Sequence, residues 1–202
     1  MLGPLGRGFA LPESKDASIV LVAGGIGCAP FPAFLDVLKQ MGGNIETGLR
    51  HDEPEPVGWI EARSSRLKGV DVGAEAVPAL IDEVPALAVA ATRAEGRFTV
   101  SGAGELRVKE SDRIAALAEG LRAFGARVEE RPDGLAVEGG PPLRGARVRA
   151  HGDHRIAMAL SVAALAAKGD SHVEDAECAS VSFPEFYAFL ERGIAGDRGR
   201  RG

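Results

Sequence analysis

Two charged clusters stand directly ahead of apolar helical runs: Lys109-Glu110-Ser111-Asp112-Arg113 and Asp153-His154-Arg155. Arginine binds a planar anion such as a carboxylate through two parallel N–H bonds. A helix N-terminus adds unpaired N–H groups and partial positive charge. His154 and Arg155 at such an end oppose the helix dipole rather than satisfy it. An anion held against that end would account for them. The chemistry this inventory suits is the handling of a small anion, with carboxylates nearby to move protons.

A third carboxylate site precedes another apolar run, in Leu80-Ile81-Asp82-Glu83-Val84-Pro85. Pro85 suits the first turn of a buried helix over 85–94. On one reading Asp82 or Glu83 caps that helix. On the other, Asp82 is a buried base beside a substrate hydroxyl. In the 109–113 cluster, Ser111 or Asp112 can cap a helix whose stripe is Ile114, Leu117, Ala118 and Leu121. Glu110 and Arg113 share a face if that helix starts early enough. The cluster is then either a surface ion-pair group or a cation pair for substrate anions with a carboxylic acid between. His154 is either a structural histidine or part of an anion site. His151 and His154 are three apart, but no further Cys or His completes a metal set. A Gly-x-Ser-x-Gly turn is absent, which argues against that route to hydrolysis.

The elements that must position these groups repeat. Residues 34–41 and 114–124 each read as a short helix ended by glycine (Gly42, Gly125) and followed by strand-like residues. Leu67-Lys68-Gly69 and Leu143-Arg144-Gly145 each precede a strand-like run. Ala88–Gly96 resembles Ser161–Gly169, and strand-like Arg97–Ser101 and Asp170–Glu174 follow. The run after Arg155 is apolar on every side, which predicts a helix buried all round. A hairpin is expected around Val57–Ile60, and Pro132-Asp133-Gly134 is a turn between strands. The unit is helix, strand pair, buried helix, strand, duplicated at about 75–85 residues. The fold class is therefore α/β: repeated helix–strand units with buried apolar helices and outer sheets.

Composition narrows the functional classes. The chain has 202 residues and a net charge of −5, which argues against nonspecific nucleic-acid binding. Aromatic residues are too few for a base-stacking platform. No apolar run is long enough to span a membrane, and the N-terminus lacks a signal-peptide pattern. Cys28 and Cys178 lack metal-ligand spacing and read as reduced thiols, so a cytoplasmic location is expected. Ser18–Ala23 reads as a strand running into Gly24-Gly25-Ile26-Gly27. That is either a phosphate-cradling turn or a plain turn, and Pro30 and Pro32 interrupt any helix directly after it. The Arg- and Gly-rich tail, 193–202, is expected to fray.

Four segments taken together carry a resemblance: Leu80–Pro85, Leu106–Ala115, Gly152–Met158 and Ser182-Phe183-Pro184-Glu185-Phe186. In order and spacing they resemble enolpyruvylshikimate-phosphate synthases, over about Phe34 to Arg192. The resemblance implies an enolpyruvyl-transferase-like domain over 34–192. It implies transfer of the enolpyruvyl group of phosphoenolpyruvate to the 5-hydroxyl of shikimate 3-phosphate, with release of phosphate and no cofactor or metal. This would be a step of the shikimate pathway to chorismate and the aromatic amino acids. It further implies Asp82 as base at the shikimate hydroxyl and Glu110 as the acid that protonates the phosphoenolpyruvate methylene. Lys109 would hold shikimate phosphate with Asp82. Arg113 and Arg155 would clamp the phosphoenolpyruvate carboxylate, with His154 in support. Many members carry a Lys where this chain has Val181.

The family's members have two similar domains and are about twice as long. This chain matches their C-terminal part, without the N-terminal Lys-Ser and Arg that bind phosphate groups. The competing expectation is a non-catalytic anion-binding remnant, or a half that needs self-association or a partner to supply the missing domain. Residues 3–31 resemble another family, ferredoxin-reductase-type proteins, especially the electron-transfer subunit of dihydroorotate dehydrogenase. Gly3–Phe9 and Ala23–Pro30 carry that likeness. Residues 1–31 are accordingly expected to be a short reductase-like fragment, joined near Phe31-Pro32.

Overall fold

The computed structural model describes residues 31–51 and 57–191. The strand and glycine-rich turn expected at 18–30, and the tail at 193–202, lie outside the described residues. The first half of the fold is α1 (Phe31–Gln40), β1 (Asn44–His51), β2 (Val57–Arg63), β3 (Asp71–Val72), α2 (Val84–Ala91) and β4 (Arg97–Val100). The second half is α3 (Arg113–Ala123), β5 (Arg127–Arg131), β6 (Gly134–Glu138), β7 (Arg147–Arg149), α4 (His154–Ala166) and β8 (His172–Glu174). Helix α1 starts at Phe31, three residues ahead of the expected Phe34. Pro32 does not interrupt it: in the first turn its missing N–H and fixed φ carry no penalty. Helix α2 ends at Ala91 rather than 94, because Thr92, Arg93 and Ala94 each donate to the carbonyl three residues back.

The duplication is visible bond by bond. Each unit's first helix closes on a left-handed glycine, Gly42 (φ 92) or Gly125 (φ 88). The same pair of bonds follows it: Gly42 N to Lys39 O and Gly43 N to Leu38 O, then Gly125 N to Arg122 O and Ala126 N to Leu121 O. Lys68 N donates to Met41 O as Arg144 N donates to Phe124 O. Gly69 N donates to Glu95 O as Gly145 N donates to Lys168 O. In each unit a short parallel pair follows, β3 with β4 and β7 with β8.

The sheets form around these units. Strands run β3-β4-β6-β5 in the four-stranded sheet, so the second unit's hairpin β5–β6 pairs antiparallel with the first unit's β4. Pro132-Asp133 turns that hairpin as expected. Strands β1–β2 and β7–β8 form two-stranded sheets. Val57–Ile60 lie within β2, whose partner β1 runs the length of the hairpin. Inside, α2, α3 and α4 pack on one another. Ala88, Leu117, Leu121, Ile156 and Leu160 are among the residues that fill the space between them. Gly120 faces the Leu160 side chain, where a Cβ would collide, so α3 and α4 approach closely. Helices α2 and α4 are buried over most of their surface, as their unbroken apolar sequence predicts. Among the described residues no helix is long and apolar enough to cross a membrane.

Candidate active site

Packing α2, α3 and α4 together brings their N-terminal ends to one place. Asp82 precedes α2, Glu110 precedes α3 and Asp153 precedes α4. Arg113, the first residue of α3, joins all three. Its Nε donates to Asp153 at 2.8 Å, one terminal nitrogen to Asp82 at 2.9 Å and the other to Glu110 at 2.5 Å. Arg113 is 2% exposed and Asp153 is fully buried, whereas Asp82 and Glu110 reach solvent. The site therefore has a buried ionic floor and a rim of two open carboxylates.

Local structure explains how each group is held. Asp112 caps α3, accepting from Ala115 N at 3.0 Å. Asp153 caps α4, accepting from Arg155 N at 2.9 Å and Ile156 N at 3.4 Å. His151 and Gly152 both take left-handed φ (54 and 70), which turns the chain sharply into that cap. The capping alternative for Asp82 and Glu83 is overturned: Glu83 is the N-cap of α2 by position, but no side chain bonds that helix end. Pro85 needs no N–H partner, and Asp82 is drawn instead to two guanidinium groups. Arg155 donates to the Asp82 carbonyl at 3.1 Å and lies 3.2 Å from its carboxylate and 3.6 Å from Glu83.

Electrostatics follow from burial. Burial by itself would raise Asp153's pKa. The Arg113 hydrogen bond and charge, the Arg155 N–H and the Ser111 hydroxyl outweigh it, and the carboxyl titrates below the ordinary aspartate range. Burial likewise opposes the charge on Arg113, but Asp153, Glu110 and Asp82 more than offset it and hold it cationic. Glu83 is the opposite case. Burial pushes its pKa up, Arg155 only partly restores it, and Asp82 adds to the rise. A raised carboxyl pKa means that ionisation weakens the fold as pH rises through the unfolded value. Glu83→Gln should therefore gain stability relative to the parent between pH 4 and pH 7. Urea unfolding across that range checks this; a gap that shrinks as pH rises would contradict it.

Of the residues expected from sequence, Asp82, Glu110, Arg113 and Arg155 come together. His154 stands beside them, its Nδ1 3.9 Å from Glu110. Lys109 does not join the ion-pair network and pairs with Glu105 instead. Val181 is 80% exposed at the end of the 3-10 segment Ala176–Val181. Sequence reasoning gave Ser111 and Glu83 only alternative capping roles, and it placed Asp153 in a charged cluster without a role of its own. Ser111 Oγ donates to Asp153 at 3.1 Å. The signal for Asp153 was present, since an Asp directly before an apolar run is an N-cap pattern. The Ser182–Phe186 motif contributes packing, with Phe186 buried and edge-on to Phe183 and Tyr187. Burial, with nearby carboxylates, pushes the Cys178 thiol up to about 11, so it is unreactive at neutral pH. Among the described residues no group of three His, Cys, Asp or Glu is placed to hold a metal ion.

Residues 21–190 match the family described as EPSP synthase (3-phosphoshikimate 1-carboxyvinyltransferase). The chain belongs to the EPSP synthase family. The 3-phosphoshikimate 1-carboxyvinyltransferase of Salinibacter ruber is 54% identical over 162 residues, 79% of this chain and 38% of that protein. That of Geobacter sulfurreducens is 48% identical over 201 residues, 93% of this chain and 47% of that protein. The EPSP synthase structure from Acinetobacter baumannii superimposes with a TM-score of 0.79 at 38% identity, over 89% of this chain and 42% of that one. The fold is thus that of the EPSP synthase family, and the chain spans under half the length of these relatives. The family match begins at residue 21, upstream of the Phe34 expected from motifs alone.

Proposed function

We propose that this chain contributes the enolpyruvyl-transferring site of a 3-phosphoshikimate 1-carboxyvinyltransferase, acting on phosphoenolpyruvate and shikimate 3-phosphate in the cytoplasm. The observation that carries this is the joining of three helix N-termini through Arg113, with Asp82 and Glu110 open at the rim. Residues 34–192 carry the transferase motifs, and the reductase-like likeness is confined to residues 3–31. Glu110 delivers a proton to the phosphoenolpyruvate methylene, which leaves C2 cationic. The shikimate 5-hydroxyl adds to C2 as Asp82 takes its proton. Return of a proton from the new methyl group to the Glu110 carboxylate, as the C2–O bond to phosphate breaks and phosphate leaves, then restores the double bond. The two carboxylates stabilise the cationic carbon, and the guanidinium groups the anionic ends.

Each of Arg113's three nitrogens already donates to a carboxylate. A substrate carboxylate reaches it by displacing Glu110, whose side chain is the most exposed of the three. That exchange frees Glu110 for proton transfer as the substrate arrives. Arg155 binds the same carboxylate, with His154 in support, and Lys109 leaves Glu105 to meet shikimate phosphate beside Asp82.

Phosphate release from phosphoenolpyruvate, with and without shikimate 3-phosphate, tests the reading. Glu110→Gln should lower turnover by about 100-fold or more with little loss of binding, the range of general acid catalysis. Arg155→Ala should instead mainly weaken phosphoenolpyruvate binding. If neither variant changes either quantity in an active preparation, the assignment falls. The span of under half the relatives' length favours a second reading, an anion-binding half that needs a second domain. No release by a folded chain, with phosphoenolpyruvate still bound, would select it.

A further inference from the structure

The motif that carries Glu110 also carries an arginine with no part in the ion-pair hub. Arg107 lies in the 3-10 segment Gly104–Val108, its side chain 26% exposed. Its Nε donates to Pro132 O at 2.7 Å and one terminal nitrogen to Arg131 O at 2.5 Å, both at the turn of the β5–β6 hairpin. That terminal nitrogen also reaches Glu130 at 3.1 Å, and the other donates to one carboxylate oxygen of Asp112 at 2.7 Å. The second oxygen of Asp112 is the one that caps α3. Upstream, Ala103 N donates to Asp133 O at 2.7 Å and Gly102 N to the Asp133 carboxylate at 2.9 Å. One hairpin turn therefore anchors the chain at 102–103, at 107 and, through Arg107, at the start of α3. The bond from Arg107 to Asp112 closes residues 108–111 into a short loop. From that loop Glu110 reaches Arg113 at 2.5 Å and Ser111 reaches Asp153 at 3.1 Å.

We infer that Arg107 is a positioning residue: it staples the base of this loop to the β5–β6 turn and so keeps Glu110 aimed at the substrate once Arg113 releases it. The inference rests on the transferase reading. In the free protein Arg113 itself holds the Glu110 carboxylate. When a substrate carboxylate takes that guanidinium, only the loop backbone still places Glu110, and proton transfer needs it within hydrogen-bond reach. Arginine suits the task. Its planar fork serves a carboxylate and two backbone carbonyls at once, which an ammonium group on a flexible stem does not. An ordinary surface ion pair joins two mobile side chains. Here two of the bonds go to backbone carbonyls, which fixes the guanidinium and with it the Asp112 cap.

Two readouts on the full chain test this. Arg107→Gln should speed amide exchange at Ala115 and Ala116, whose N–H groups Asp112 receives, by about 10-fold, the scale of one charge-assisted hydrogen bond. Ala157, held by Asp153 O at the start of α4, should keep its rate. Arg107→Lys keeps the charge and should fall between. Unchanged exchange at Ala115 and Ala116, or an equal rise at Ala157, overturns the staple. In phosphate release, Arg107→Gln should lower kcat about 10-fold or more while KM for phosphoenolpyruvate stays within about 2-fold, because the aim of Glu110 suffers and Arg155 does not. An unchanged kcat in an active preparation overturns the positioning role. Exchange is read without substrate, so it judges the staple whether or not phosphate is released. An inert Glu110→Gln beside the expected exchange pattern sinks the transferase reading and leaves the staple standing.

Discussion

Asp153→Ala should destabilise the fold by about 4 kcal/mol, the range for stranding one partner of a buried ion pair. The carboxylate is fully buried against Arg113, which is itself 2% exposed. Its loss leaves a guanidinium with two half-exposed partners in place of its one buried partner. It also uncaps α4, since Arg155 N and Ile156 N both lose their acceptor. Asp153→Asn should cost less, because its amide oxygen still caps the helix. The sign of the pH dependence separates charge from shape. The depressed pKa of Asp153 gives stability that is complete above the unfolded value and lost as pH falls through the folded one. The gap between parent and Asp153→Asn should therefore be widest at neutral pH and close in acid. Urea unfolding at pH 7 and below pH 4 measures both. An alanine variant within about 1 kcal/mol of the parent would show that the buried pair does not hold the three helices together.

Gly145→Ala should cost about 2 kcal/mol or more, as overpacking against fixed backbone does. A Cβ at Gly145 would overlap the backbone of Asp170, so β7 and β8 would have to part. Gly69 is its counterpart in the first unit, and a Cβ there would meet the backbone of Arg97 in the same way. Gly69→Ala should therefore cost a similar amount, although the residues around the two sites differ. Gly104→Ala is the control. The nearest atom to its added methyl is a side-chain carbon of Asp133 at 3.9 Å, and the change should be nearly neutral. Thermal melting distinguishes the three, since about 2 kcal/mol shifts the midpoint of a domain this size by roughly 4–8 °C. Equal midpoints for Gly104→Ala and Gly145→Ala would remove the close approach as a reason for glycine.

Local chemistry made much of this molecule readable. Pro85 marked the start of α2, and Ser111 or Asp112 that of α3, where Asp112 makes the cap. Gly42 and Gly125 marked the ends of α1 and α3, because only glycine closes a helix left-handed at little cost. The unbroken apolar runs announced that α2 and α4 would be enclosed. The repeated glycines and apolar spacing exposed the duplication before any coordinate did. These signals concern a residue and its chain neighbours, and a linear string carries them in full.

Two local readings gave way in the structure. Pro32 looked like a break, yet a first-turn proline costs nothing, and α1 simply starts sooner. Asp82 had the right type and position for a cap, but Arg113 and Arg155 approach from α3 and α4 and draw it away.

The sequence by itself determined which residues could do the chemistry, which segments were helix or strand, and that one unit is built twice. Only the tertiary structure decided that three helix N-termini meet, and that Arg113 is the buried hub joining carboxylates 31 and 40 residues away in sequence. It alone decided that the second unit's hairpin completes the first unit's sheet. The physical reason is that ion pairing and strand pairing depend on distance through space, which packing of the apolar helices sets. Capping, helix closure and periodicity depend on distance along the chain, which the sequence states directly.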